Sequence, residues 1–367
     1  MGFAWGDDAL GQLGNAAAKG SGTPVAIDNR LWTVLSAGTN HACGVEQGSN
    51  DAYCWGDNSS GQLGIGDTRA TSSTPLLVSG GLKWSYIGGG DSHSCGLRLE
   101  DSTAWCWGSA DNGQLGTGGY TSSDEPVPVA GGQQWASLSV RGSQTCGILL
   151  SDGSAWCWGW PSLVQDTAAV PQLVPGGIAW AHLSAGIYHV CGIAAADGTA
   201  YCWGGQEVGN QDGQLGIGST AAATTPTPVV GGRAYSSISS GEVHTCAVQN
   251  ATAQLYCWGR NIYGQLGNSA LMDGSDDSAL YPQPTPAFLG GPVSSVSVGL
   301  ENTCAIWAAN ATAACVGNNF FGAVGSGSTD VSTGAPQAVA GGRKCAALSG
   351  GGSFMVGLLL EAPAASS

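Results

Sequence analysis

The sequence predicts an all-β fold, a seven-bladed β-propeller with four antiparallel strands per blade, closed by an N-terminal strand that completes the last blade. Three observations predict it. Six cysteine pairs recur with a constant separation of 11 residues. Between them the same short apolar runs return, punctuated by Gly, Pro, Asp and Asn. The last unit lacks a strand that the first residues supply.

The pairs are Cys43 and Cys54, Cys95 and Cys106, Cys146 and Cys157, Cys191 and Cys202, Cys246 and Cys257, and Cys304 and Cys315. First cysteines recur after 52, 51, 45, 55 and 58 residues. A separation of 11 places a short turn at the midpoint of a hairpin, so the two cysteines face each other on neighbouring strands. Cross-strand neighbours have Cβ atoms ~4.5–5.5 Å apart, within reach of a disulfide after modest adjustment. Disulfides are the reading this spacing favours. Free core thiols and a metal site are the alternatives, and the chain has no CxxC of the kind a zinc site uses.

Each unit holds the same parts in order. A Pro-led strand such as "TPLLVSGG" or "EPVPVAGG" comes first. An aromatic or apolar strand follows, as in "LWTVLSAG" and "AWAHLSAG", then a strand with the first cysteine, as in "HACGV". A polar turn leads to "AYCWG" or "AWCWG", and a loop such as "DNSSGQLG" closes the unit. Short runs bounded by turn formers read as four strands per unit. The final unit, "GGRKCAALSGGGSFMVGLLL", aligns with Val356 at the first-cysteine position and has no "CWG" strand. The chain begins with "FAWG", where Ala4 stands at the second-cysteine position, so the N-terminal strand completes blade seven. Both cysteines are missing from that blade together, as members of a pair would be. Cys345 falls where other units have Trp32, Trp84, Trp135 and Trp180, and reads as a buried free thiol, with intermolecular pairing as the alternative.

Composition agrees. Of 367 residues 62 are Gly, 43% are hydrophobic and only 10% charged, which suits many short strands and turns rather than disorder. The net charge of −15 and the ten scattered Lys and Arg oppose nucleic-acid binding and attraction to an anionic membrane. No run of 18 apolar residues is present. Residues 1–360 form one propeller and 361–367 a linker-like tail. No signal peptide precedes "MGFAWGDDAL", so the chain reads as a mature or trimmed fragment.

The "WGxxxxGQLG" element, with an upstream Gly-rich strand and His, resembles the regulator of chromosome condensation family of seven-bladed propellers. It spans Trp5 to Gly14, Trp55 to Gly64, Trp107 to Gly116 and Trp258 to Gly267, and Trp203 to Gly216 with an insertion. The unit around Trp158 has lost "GQLG", and the unit around Cys315 reads "CVGNNFFGAVG". The resemblance covers essentially the whole chain and implies the fold. It implies no single function, because the family includes an exchange factor for a small GTPase that binds chromatin, an ultraviolet-B receptor, a secreted β-lactamase inhibitor and modules of ubiquitin ligases. The "CGL…CWG" variant resembles the extracellular repeats of crinkly-type plant receptor kinases and secreted microbial or algal relatives.

Candidate sites each have a plainer reading. His41, His93, His189 and His244 share one position, two before the first cysteine, where Gln144, Asn302 and Phe354 stand elsewhere. A histidine ring could hold metal or sense pH, but strand-end side chains bonding a neighbouring blade's backbone explain it without function. Most Trp fall at two repeated packing positions; Trp160, in "CWGWPSL", does not. Asp273, Asp276 and Asp277 lie close in one insertion, without EF-hand spacing, as a calcium candidate or a solvated acidic loop. The "GQLG" segments lack the GK[ST] of a phosphate cradle and read as turns. Asn58, Asn250 and Asn310 open N-x-S/T sequons. No catalytic constellation is present, so neither an enzyme nor a cofactor is expected.

Function is expected where units break pattern: residues 160–166, 206–212 and 272–277, with Trp160, Gln206, Asp212, Asp273, Asp276 and Asp277 as ligand-binding candidates. The expected function is a secreted or cell-surface scaffold that binds a protein or glycan, since structural disulfides persist in oxidising compartments. The alternatives are an exchange factor or regulator of a small GTPase, and a secreted enzyme inhibitor.

Overall fold

Runs of five to seven residues cut by Gly and Pro are too short for helices and bury no continuous face alone, so they pair into sheets and the sheets pack on one another. The computed structural model describes all residues except 18, 68–69, 161–167, 205–209, 270–279, 288, 329 and 361–367. It contains seven four-stranded antiparallel sheets. In blade 1 the order from the axis outward is Trp32–Ala37, His41–Glu46, Ala52–Asp57 and Thr71–Leu77. The inner strands of successive blades touch in sequence, and Cys345–Gly350 of blade 7 touches Trp32–Ala37 of blade 1, which closes the ring.

The core lies between the blades. Seven clusters of buried residues are present, each drawn from two neighbouring blades. Cys43, Cys54 and Leu63 of blade 1, for example, pack on Trp84 and Trp107 of blade 2. The six cysteine pairs are disulfides, each joining residues directly opposite on the second and third strands, with Cα atoms 4.0–4.1 Å apart. In blade 7 the register places Ala4 opposite Val356, the alignment read from the sequence. Cys345 is free and buried beside Phe3 and Trp5, and burial pushes its thiol up to about 11.

Two details differ from the sequence reading. The Pro-led strand is not the first strand of its unit but the outermost strand of the preceding blade: Thr71–Leu77 pairs with Ala52–Asp57. Proline lacks an N–H and is tolerated at a sheet edge, where it also blunts pairing with foreign strands. The N-terminus therefore supplies two strands to blade 7, Gly2–Gly6 as the third and Ser21–Ala26 as the fourth.

Where it is present, the "GQLG" loop ties a blade to the next. Its second glycine takes a left-handed conformation, and at Gly64 (φ 68°) a Cβ would lie 2.6 Å from Nε1 of Trp107, so only glycine fits. The Gln backbone carbonyl accepts from the indole of the next blade: Trp107 Nε1 donates to Gln62 O, Trp258 to Gln214 O and Trp55 to Gln12 O, at 2.8–2.9 Å. The Gln side chain braces its own loop, Gln62 Nε2 donating to Asp57 Oδ2 and Oε1 accepting from Ser60 N.

Candidate recognition face

Because strands alternate in direction, the inner-to-second turns and the third-to-outer loops open at the same end of the ring. That end carries Trp160, Asp212 and the blade 6 loop with Phe320 and Phe321. Trp160 is the last residue of the strand Ala155–Trp160, half-buried, with its ring edge-on to Tyr188 at 5.9 Å. It is thus partly covered, where the sequence reading left it free of packing. Asp212 is half-buried and lies 3.9 Å from Arg260; burial raises its carboxyl pKa, opposed by the Arg260 charge. Gln206, Asp273, Asp276, Asp277 and the rest of residues 161–166 and 272–277 lie outside the described residues.

The sequons divide between the ends. Asn250 and Asn310 are exposed on the turns between disulfide-linked strands, at the opposite end. Asn58 corrects the expectation for its sequon. It is buried, its Oδ1 accepts from Leu63 N, and its Nδ2, the atom a glycan would need, donates to Asp67 O.

The central channel holds a residue that the sequence reading missed. The inner turns carry Gly38, Gly90, Gly186, Gly241, Gly299 and Gly351 at one position, and blade 3 has Arg141 there. Arg141 crosses the channel to blade 7, where Nη1 donates to Gly350 O at 2.5 Å and Nη2 to Gly351 O at 3.4 Å. Burial lowers its pKa, opposed by the charges of Asp91 and Glu242. The Glu242 carboxyl is in turn held above the ordinary range by burial and by the like charges of Glu301 and Asp91, with Arg141 opposing.

The histidines are joints and form no shared site. His41 Nε2 lies 2.8 Å from Ser94 Oγ, and His93, His189 and His244 meet Thr145, Thr245 and Thr303 at 2.7–2.9 Å, always across a seam. Each hydroxyl donates its one proton to a Gln carbonyl of the preceding blade, Ser94 to Gln62 O for instance. Nε2 must therefore be the donor, and the imidazole is neutral with its buried Nδ1 unpartnered. The partner is a hydroxyl where the sequence reading named backbone. Histidine stands only where the next blade offers Ser or Thr. Where the next blade has Val190, Met355 or Ala42, the position is Gln144, Asn302 or Phe354. Gln144 reaches past Val190 and donates to Gly186 O at 2.8 Å.

Burial pulls His41 down to about 4 and His93, His189 and His244 down to about 3, from 6.5. A folded pKa below the unfolded one means that the unfolded chain binds the extra protons. The stabilisation is complete above pH 6.5 and is lost as pH falls towards 4, at about 1.4 kcal/mol per pH unit for each imidazole. Melting temperatures measured from pH 7 to 4.5 should fall steadily, and His93→Gln should flatten the slope, Gln144 being the native precedent. A pH-independent melt would refute the neutral relay.

Comparison with known proteins fits this architecture. A family model described as the regulator of chromosome condensation (RCC1) repeat matches residues 49–97, 197–248 and 253–306, and a second of the same description matches residues 32–62. The chain is 29% identical to the ultraviolet-B receptor UVR8 of Arabidopsis thaliana over 313 residues, 82% of this chain and 58% of the receptor. It is 29% identical to the E3 ubiquitin-protein ligase HERC2 of Mus musculus over 314 residues, 83% of this chain and 5% of the ligase. The chain thus spans little more than half of the first relative and a small part of the second. Among solved structures, Prp20p from Saccharomyces cerevisiae superimposes with a TM-score of 0.84 at 20% identity, covering 98% of this chain and 92% of that one. The CRINKLY ectodomain of the Arabidopsis thaliana receptor kinase ACR4 gives 0.55 at 20% identity, covering 89% and 92%. With seven sheets in a ring, loops that join blade to blade and these matches, the chain is a seven-bladed β-propeller that carries RCC1 repeats at residues 32–97, 197–248 and 253–306.

Proposed function

We propose that this chain is a regulator without catalysis of its own, which holds a protein partner against the end of the ring that carries Trp160, Glu242, Glu301 and the blade 6 loop. One observation carries the reading: Arg141, Trp160 and the altered "GNNFFGAVG" loop all break the repeat at that one end. Loops that differ on an otherwise uniform scaffold are where function is placed. Prp20p is described by its binding to Gsp1p and histones and was also solved with Kap60, so proteins are the partners of a structural neighbour. These comparisons support a regulator of another protein, of the small-GTPase kind, better than glycan capture.

The six disulfides favour a second reading, an extracellular protein partner, because they support a working place in an oxidising compartment. One experiment separates the readings. The chain is presented with small GTPases carrying a fluorescent nucleotide and, in parallel, with a glycan array. The expected result is a saturable protein complex with faster nucleotide release, weakened by ~2 kcal/mol in Trp160→Ala, as for an interface anchor. Trp160→Ala should leave the melt nearly unchanged, whereas Trp107→Ala, fully buried, should cost about 3–5 kcal/mol of stability. A protein complex without nucleotide release supports the extracellular reading. Glycan binding alone, lost in Trp160→Ala, would overturn both.

A further inference from the structure

Blade 6 departs from its siblings at several positions, and they meet in one cleft. At its loop tip Phe320 and Phe321 are 64% and 54% exposed, where blade 1 has Ser59 and Ser60 and blade 2 has Asp111 and Asn112. Such exposure of two adjacent aromatics costs solubility unless something covers them. Two positions on, Ala323 replaces the Gln whose side chain fills the underside of the loop in blade 1. The space opens as a pocket of about 190 Å³ beside the channel mouth, lined by Glu242, Glu301, Asn302, Phe320, Phe321 and Ala323 among others.

The floor of this pocket is built for a cation. Glu301 Oε2 accepts from Asn318 Nδ2 at 2.9 Å, which fixes one carboxylate, and the charge of Glu242 lies near it. Neither carboxylate has an ion-pair partner within 4 Å among the described residues; Arg141, whose charge reaches Glu242, gives its terminal nitrogens to backbone carbonyls of blade 7. Asn302 is 2% exposed and its Oδ1 has no hydrogen-bond partner. It occupies the joint position where four other blades use His, but blade 7 offers Met355 in place of a hydroxyl. The Oδ1 of Asn302 is packed against Gly299, and Asn302 forms part of the wall of an acidic pocket that Phe320 and Phe321 also line.

We propose that this cleft takes an arginine side chain carried by a cationic protein segment, with the guanidinium on Glu242 and Glu301 and flanking apolar residues against Phe320 and Phe321. Arginine matches each feature. Its planar fork serves two carboxylates, and its face stacks on aromatic rings. The net charge of −15 steers a cationic partner towards the chain. The proposal rests on the reading that this end holds a protein, and specifies which part of the end and which side chain of the partner.

The probe is a fluorescein-labelled peptide with Arg between two Leu residues, tested against the same peptide with citrulline. Citrulline keeps the shape and removes the charge. The expected result is saturable binding of the Arg peptide, weakened about tenfold or more by citrulline, by E301Q and by the double variant F320S/F321S, which restores the residues of blade 1. Affinity should also fall as salt rises from about 50 to about 300 mM. Melting curves of the variants should overlay the parent, since the altered side chains are surface or cleft groups. No saturable binding up to about 1 mM, equal binding of the citrulline peptide, or indifference to F320S/F321S would overturn the proposal. Trp160→Ala separates it from the wider reading. A protein partner lost with Trp160→Ala but untouched by E301Q sinks the cleft alone. Arg-peptide binding in a chain that engages no protein sinks the wider reading alone.

Discussion

A chain lacking residues 1–8 is expected to lose cooperative folding, not merely some stability. The deletion removes the strand Gly2–Gly6 and leaves Ser21–Ala26 with no sheet to join, so blade 7 keeps two strands of four. Phe3, Ala4 and Trp5 are at most 1% exposed, and Trp5 Nε1 donates to Ala323 O of blade 6 at 2.9 Å. Removing a buried Phe and a buried Trp costs about 3–5 kcal/mol each, which together approaches the whole stability of an ordinary domain, about 5–15 kcal/mol. No disulfide compensates, because this blade pairs Ala4 with Val356. The second strand, Phe354–Leu359, would also become an open edge, a template for aggregation. Calorimetry and size exclusion on the truncated chain should show no sharp transition and a large aggregated fraction. A melt within a few degrees of the parent would mean that the ring does not close through this strand. Trp5→Ala, which keeps the strand, should fall between the two.

Reduction of the disulfides is expected to have the second largest effect. Each closes a loop of about 12 residues, and the chain-entropy estimate for a loop of that size is about 2.8 kcal/mol. Six together come to roughly 17 kcal/mol, an upper figure that exceeds the usual stability of a domain. The sulfurs lie inside the seam clusters, so reductant reaches them only after a blade opens, and reduction should be slow and then abrupt. Thermal melts with and without a phosphine reductant should differ by tens of degrees. Peptide mapping without reduction should recover the six nearest-pair links and a free Cys345. A cross-link between blades, or an unchanged melt after full reduction, would contradict this account.

What the residues disclosed in advance follows from how local each constraint is. A separation of 11 between cysteines is set within one hairpin, and Val356 with Ala4 could be aligned by the same local pattern, so pairing and closure were legible. The phase of the Pro-led strand was not, because the loop before it in blade 1 has 13 residues and the connection after it only six, which groups it with the strand that follows; only the edge preference of proline decides otherwise. The histidine joints depend on register between blades, about fifty residues apart, which no hairpin pattern encodes; the clue was the Ser or Thr one place after the next unit's joint position. Phe320 and Phe321 carry no repeat signal of their own, because whether two aromatics at a loop tip are exposed depends on what the neighbouring loops cover. Arg141 stood alone in a column of glycines and needed only the aligned turns to be seen.

The joints have a consequence for how such a chain can change over generations. Blades 2 and 5 each carry both the imidazole that faces the successor and the hydroxyl that meets the predecessor, so their identity is defined by both neighbours. A blade copied or moved as a unit would arrive with ends written for other company: blade 2 set after blade 3 would meet Gln144 with Ser94, and blade 4 set after blade 2 would answer His93 with Val190. Inheritance of the ring order is therefore enforced seam by seam. Three seams carry no such mark: blade 3 to blade 4, bridged by Gln144 instead, and the two, from blade 6 to blade 7 and from blade 7 to blade 1, that flank the one blade that both ends of the chain must build together.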